Sequence, residues 1–284
     1  MILSGDPTLK FKFLMIIFSI LIVFVIVVVV LLPMMLAGSG SALEVNFRLI
    51  TLPLLAFMVI LLIGMGIFFF FNYRLLSLLE REDWPALAYY LEQKVFVKGK
   101  YSNRNVRLLA SSYLVISDYN SVLKLENKVM LAKSAIIDKN LLLFGSARVL
   151  SGKHAEAAAF FSSHLEKDKF NSKDEHWVRW YYGFSLLLSG AFKLAQPEFA
   201  FLAVSSNDAV LAGLSAYFLS NSIKKHSENP DDCLAASESG RIRVINAVKN
   251  RAGWKKEAAK MGSDIHVAII KKYIEETNQW LFNK

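Results

Sequence analysis

Cysteine is nearly absent from this chain: Cys233 is its single thiol in 284 residues. One thiol excludes an internal disulfide framework and leans toward a reducing compartment. The short motifs that announce common chemistries are also missing. There is no G-x-x-x-x-G-K-[ST], no G-x-G-x-x-G, no H-E-x-x-H and no C-x-x-C, so no nucleotide, dinucleotide, zinc-peptidase or dithiol site is signalled. The five histidines are scattered. His154 and His164 lie ten residues apart, not at the i, i+4 spacing that chelates a metal on one helix face. His176 follows Asp174 and Glu175, a trio that reads as two acids opening a helix at its positive dipole end. No catalytic, cofactor-binding or metal-binding residue is expected, and the chain reads as a non-enzyme.

Charge is the next scarcity, and it is local. The chain holds 33 Lys+Arg against 24 Asp+Glu, a formal net charge of +9, yet residues 13–43 and 49–73 contain no charged side chain. A helix needs about 20 apolar residues to cross a hydrocarbon core of ~30 Å. Two spans are therefore predicted, at about 13–36 and 49–71, within an anchor of residues 1–74. The first run exceeds the ~7–15 apolar residues of a secretory signal, so cleavage is not expected. The second ends in Phe68–Phe71, Tyr73 and Arg74, side chains that suit the headgroup level. A short loop joins the runs, which implies a hairpin. Lys10, Lys12, Arg74 and Arg81 flank its terminal side, against Arg48 and Glu44 in the loop. Positive-inside bias then places both termini and the following domain in the cytoplasm, at the cytoplasmic (inner) membrane. The opposite topology puts that domain in the periplasm. No ionisable residue interrupts either span, which argues against a transporter or pore in this chain alone. Gly64 and Gly66 read as ordinary membrane-helix glycines.

Beyond Arg74 there is no sustained strand alternation and no NG or DG hairpin signal. Helix-length apolar patterns are broken by short turns instead. Turns at Asp83-Trp84, Asp118-Tyr119, Gly152-Lys153 and Gly190-Ala191 lie 35, 34 and 38 residues apart. Two units agree closely: Gly145, Gly152, Ala157 and Phe161, then Gly183, Gly190, Ala195 and Phe199. The first glycine permits close helix approach, the second a turn at positive φ. Alanine keeps the second helix near its partner, and phenylalanine reaches toward the next unit.

A period near 34 residues with small, glycine, alanine and phenylalanine at these offsets resembles the tetratricopeptide repeat (TPR) family. The resemblance covers roughly Leu75 to Ser205, best in SARVLSGKHAEAAAFFSSHLEK. Asp83 is a fitting N-cap with Pro85 in the first turn. The unit around Asp118 departs from the pattern at Ser111 and Leu123. No closing proline is present, and Pro197 falls inside a predicted second helix, where it should bend it. The expected fold is all-α: a transmembrane hairpin, then a TPR-like α-solenoid of helix-turn-helix repeats over 75–205. Divergent helices over 206–284 would cap it: Asp208–Lys225, Pro230–Asn250, and a last helix capped by Ser263 or Asp264 and running to about Trp280.

The resemblance implies protein partners on a concave groove. Trp177 and Trp180 occupy first-helix positions that tend to face such a groove in TPR domains, and Asn105, Lys139 and Leu142 are the earlier equivalents. The other reading of the tryptophans is packing between helices. A basic stretch, Arg241, Arg243, Lys249, Arg251, Lys255, Lys256 and Lys260 against Glu257 alone, suits anionic lipid or an acidic partner, or is a solvated helix face. Nucleic acid is not the expected ligand. The functional expectation is a membrane-anchored scaffold or adaptor that organises a membrane complex. The alternatives are a structural part of an envelope machine, such as a periplasmic flagellar collar or a secretion apparatus, and an assembly or regulatory subunit of a membrane enzyme or transporter.

Overall fold

The computed structural model describes residues 16–20, 22–24, 27, 42–166, 172–262 and 265–283. Among them the chain is helical, with no strand. It divides into two compact units, Met1–Leu87 and Ala88–Lys284.

In the first unit, residues 16–20 and 22–24 are helical and α1 spans Ala42–Glu80. Val59–Glu80, within α1, is long and apolar enough to cross a membrane, by length and composition, and only 11% of its most apolar window is buried. Phe18 meets Phe69 with ring centroids 5.4 Å apart. Most of the predicted span 13–36, with Lys10 and Lys12, lies outside the described residues, as do Ser263 and Asp264.

The division between units falls within α2 (Trp84–Glu92). The second unit continues through α3 (Asn103–Val115), α4 (Tyr119–Lys133), a short α5 (Ala135–Lys139), α6 (Leu141–Leu150) and α7 (His154–Leu165). Next come α8 (Ser172–Leu188), α9 (Phe192–Ser205), α10 (Ala209–Phe218), α11 (Pro230–Val248), α12 (Arg251–Ala259) and α13 (Ile265–Phe282). Side-chain caps set several of the starts by accepting backbone N–H groups that a helix leaves unpaired. Ser102 accepts from Asn105 N–H at 3.2 Å, Asp118 from Ser121 N–H at 3.1 Å, and Asp208 from Val210 N–H at 2.9 Å. Asp83 does the same for Ala86 at 3.1 Å.

The four turns expected from the spacing share one closure. Gly152 sits at φ +75° and Gly190 at +80°, while Glu82 and Ser117 hold the same left-handed position at +53° and +60° without being glycine. In each case the residue after it donates its N–H to a carbonyl five positions back: Asp83 to Leu78, Asp118 to Tyr113, Lys153 to Arg148 and Ala191 to Leu186, at 2.8–3.1 Å. This is the Schellman closure, which satisfies the last carbonyls of a helix and reverses the chain.

Three of these reversals make hairpins, with α3 packed on α4, α6 on α7 and α8 on α9, and α10 and α11 form a further packed pair. First helices also touch one another in order, α3 with α6, α6 with α8, and α8 with α10. Phenylalanines join neighbouring hairpins. Phe161 of α7 stacks on Tyr181 of α8 at 5.7 Å, and Phe199 of α9 meets Phe218 of α10 at 5.5 Å. One ion pair lies in this interior: Arg148 donates to both Glu126 carboxylate oxygens at 2.6 and 3.0 Å and lies 4.2 Å from the Phe160 ring centroid. The bidentate geometry and the ring beneath it offset the cost of burying the charges.

Several boundaries differ from the sequence expectation. Helix α9 runs through Pro197 without interruption. The helix expected over Asp208–Lys225 ends its α-helical part at Phe218 and continues as a wider π turn over Leu219–Ile223. Helix α12 was not expected at all. The last helix does more than cover an end: α13 packs against α3, α6 and α10 as well as α12.

A Cβ at Gly145 would lie 2.0 Å from the Phe161 ring, whereas at Gly183 the nearest atoms are 3.3 and 3.4 Å away. Overpacking of a fixed core costs about 1–3 kcal/mol. Gly145→Ala is therefore expected to lower the urea midpoint by an amount equivalent to about 1–3 kcal/mol, and Gly183→Ala by clearly less. Equal effects would show that the Phe161 ring moves aside freely.

Candidate interaction site

The first helices of the hairpins, α3, α6, α8 and α10, form one side of the second unit, and α13 lies along it. Its sequence explains the fit. Ile270, Tyr273 with Ile274, Thr277, and Leu281 recur at helical spacing and define one stripe. Ile270, Thr277 and Leu281 are buried.

Aromatic rings make the central contact. Trp180 of α8 stacks on Phe184 at 5.0 Å and meets Phe199 and Phe218 at 6.2 and 6.0 Å. Tyr273 of α13 then closes on Phe184 at 5.5 Å and Phe218 at 5.1 Å. Such tilted and edge-on pairs contribute beyond the area they bury. Further along, the Tyr217 hydroxyl donates to Glu276 Oε2 at 3.0 Å and its ring meets Trp280 at 6.1 Å. Arg241 of α11 donates to the Leu281 carbonyl at 3.2 Å and lies 5.4 Å from the Trp280 ring centroid. From the other side, Trp254 of α12 donates its indole N–H to the Ile274 carbonyl at 3.3 Å. Its ring fills the space a Cβ at Gly213 would need, 2.7 Å away.

The residues singled out from sequence fall in several places. Trp180 is wholly buried and Trp177 is buried beside it, their ring centroids 6.3 Å apart. Asn105 is half-buried and its amide donates to the Lys100 carbonyl at 3.1 Å. Lys139 is exposed at the end of α5 and Leu142 half-buried at the start of α6. Five residues of the basic stretch, Lys249, Arg251, Lys255, Lys256 and Lys260, are exposed, and Arg241 and Arg243 are half-buried. Arg241 holds α13, and Arg243 donates to the Val204 and Ser206 carbonyls at the negative end of α9. Arg251 donates to Asn283, and Lys260 pairs with Glu257 at 2.6 Å. Lys249, Lys255 and Lys256 are exposed. Sequence reasoning missed α12 and the docking stripe of α13. Their signals were Asn250, which caps α12 through Gly253 N–H at 2.9 Å, and the apolar period from Ile270 to Leu281.

Burial, then the hydrogen bond to Glu276 and its negative charge, push the Tyr217 phenol up to about 12. The free phenol titrates near 10, so the folded state holds the proton more tightly than the unfolded chain. Stability from this contact is complete below pH ~10 and is lost as pH rises toward 12. Tyr113 and Tyr181 are raised too, with the same sign. Urea midpoints of the full-length protein in detergent should therefore fall between pH 10 and 12, and less steeply in Tyr217→Phe. Parallel slopes would mean that the Tyr217–Glu276 contact does not form in solution.

A family model described as "Uncharacterised Treponema protein" matches residues 121–283. An "Uncharacterized protein" of Treponema pallidum (strain Nichols) is 28% identical over 218 residues, covering 74% of this chain and 69% of that one. No solved structure matches. The family match spans more than half of the chain, from α4 through α13, and the protein belongs to this Treponema protein family.

Proposed function

We propose that the protein is a membrane-anchored scaffold or adaptor: a two-helix transmembrane hairpin holds a TPR-like solenoid that recruits protein partners and organises a membrane complex. One observation carries the reading. A helix long and apolar enough to cross a membrane leads directly into a chain of Schellman-closed helical hairpins. Stacked hairpins present extended surfaces, which suit recognition. The Phe18–Phe69 contact supports pairing of the two apolar segments. The shared turn closures, with Phe161 and Phe199 each reaching the next hairpin, support the TPR-like reading. Partner contact on the outer helices is supported by large apolar side chains left in water: Leu194 is 59% exposed on α9, and Ile242 52% on α11. Lys249, Lys255 and Lys256 suit an anionic lipid surface.

The charge bias around the spans favours a cytoplasmic solenoid. The alternative, a structural part of an envelope machine with the solenoid in the periplasm, requires the reverse orientation. Cys233 is buried, so the topology reporter is a cysteine appended after Lys284 in a Cys233→Ala background. A membrane-impermeant maleimide should label it only after the spheroplast membrane is opened. Labelling of intact spheroplasts would make the envelope-machine reading the better one. For recruitment, Leu194→Glu with Ile242→Glu should reduce recovery of cross-linked partners severalfold while leaving the unfolding midpoint nearly unchanged, as exposed substitutions do. Unchanged recovery would remove α9 and α11 from the binding surface.

A further inference from the structure

The start of the second unit combines uncompensated positive charge with uncovered apolar surface. Residues 88–140 hold nine Lys and Arg against four acids, Glu92, Asp118, Glu126 and Asp138. All four acids are turned to partners within the unit. Glu92 accepts from the Tyr113 hydroxyl at 2.6 Å, Asp118 caps α4, Glu126 takes Arg148, and Asp138 lies 3.8 Å from His164 Nε2. The lysines face solvent instead: Lys98, Lys100, Lys124 and Lys128 are exposed. A π turn over Gln93–Val97 extends α2, and the Lys128 ammonium lies 4.2 Å from the centroid of the Phe96 ring, so this segment and α4 share one surface. Lys124, Lys128 and Leu131 recur at i, i+4 and i+7 and form one stripe of α4. Val97 is 71% exposed and Leu131 91%, the highest values for large apolar side chains among the described residues of this unit.

Lysine heads around protruding apolar side chains match the boundary between lipid headgroups and acyl chains, where ammonium groups meet phosphates and apolar tips leave water. Basic residues close behind a membrane-length helix draw anionic lipid, and Lys98 and Lys100 follow Glu80, where that helix ends, within about 20 residues. We propose that Lys98, Lys100, Lys124 and Lys128, with Val97 and Leu131, form a membrane-contact surface that binds anionic phospholipid. The ammonium groups lie on headgroup phosphates, and the two apolar side chains enter the boundary beneath them. This surface gives the second unit its own hold on the bilayer. It presupposes the membrane anchor and is independent of partner recruitment.

The test uses full-length Cys233→Ala protein in nanodiscs, which present the same lipids on both faces and so make the outcome independent of topology. A fluorophore is attached at Leu131→Cys, and in a second sample at Leu194→Cys on α9. Each is exposed to lipids that carry a nitroxide just below the headgroup. Quenching at Leu131→Cys should be at least about threefold greater with phosphatidylglycerol in the nanodisc than with phosphatidylcholine alone. Raised salt should remove the difference, because the attraction is screened. Quenching at Leu194→Cys should be small in both lipids. Lys98→Glu with Lys124→Glu should abolish the lipid preference while holding the circular dichroism of the helices, as exposed substitutions do. Equal quenching in both lipids or at both sites would overturn the inference, as would a folded charge-reversal variant that kept the preference. Any of these results leaves the anchor intact, since the protein has entered the nanodisc. A protein that fails to enter would overturn the anchor and this surface together.

Discussion

The second unit depends on the aromatic cluster around Trp180. A hairpin buries its apolar stripe only against a neighbour, so every hairpin here is stable because the next one is present. Trp180, Phe184, Phe199 and Phe218 are the rings through which α8, α9 and α10 share one interior. Tyr273 joins α13 to the same cluster. The ring that holds two hairpins together thus borders the surface on which the last helix lies.

Polar groups set the geometry around this interior. Glu126 and Arg148 fix α4 against α6 with two parallel hydrogen bonds, a contact that works in one arrangement only. Arg179 plays a comparable part outside, bridging Glu175 and Glu198 at 2.9 Å each and so tying α8 to α9. Arg243 closes the end of α9 from α11. Of the seven basic residues in the run 241–260, Arg241 and Arg243 are half-buried and hold neighbouring elements, while Lys249, Arg251, Lys255, Lys256 and Lys260 stay exposed.

The two apolar regimes of the chain divide the functional labour in the proposed reading. The stretch Val59–Glu80 keeps large side chains outward, with Ile60, Phe70 and Phe71 66%, 80% and 73% exposed. In water such exposure is costly, while in hydrocarbon it costs nothing. The hairpin unit buries its rings instead and leaves isolated apolar side chains on its outer helices. In that proposed reading, hydrocarbon accounts for the first pattern and a protein partner for the second.

Local rules determined much of this protein from sequence alone. A 31-residue or 25-residue stretch without charge is legible because membrane crossing depends on length and composition, which are properties of a segment. The hairpin turns were legible for a similar reason. A helix end needs a residue that tolerates positive φ, and the next start a cap; Gly152 and Gly190 declare the first, Asp83 and Asp118 the second. Gly145 with Phe161, and Gly183 with Phe199, exposed the packing as well, since a missing side chain and a large one complement each other at a constant offset. Only the tertiary structure decided what the large aromatic positions face. From sequence Trp180 suited packing between helices better than a groove, and Phe184, Phe199 and Phe218 surround it. The role of α13 lay further out of reach. Its stripe from Ile270 to Leu281 shows that some surface must cover it, but the covering helices begin at Asn103, more than 150 residues earlier, and periodicity carries no information about such distant pairing.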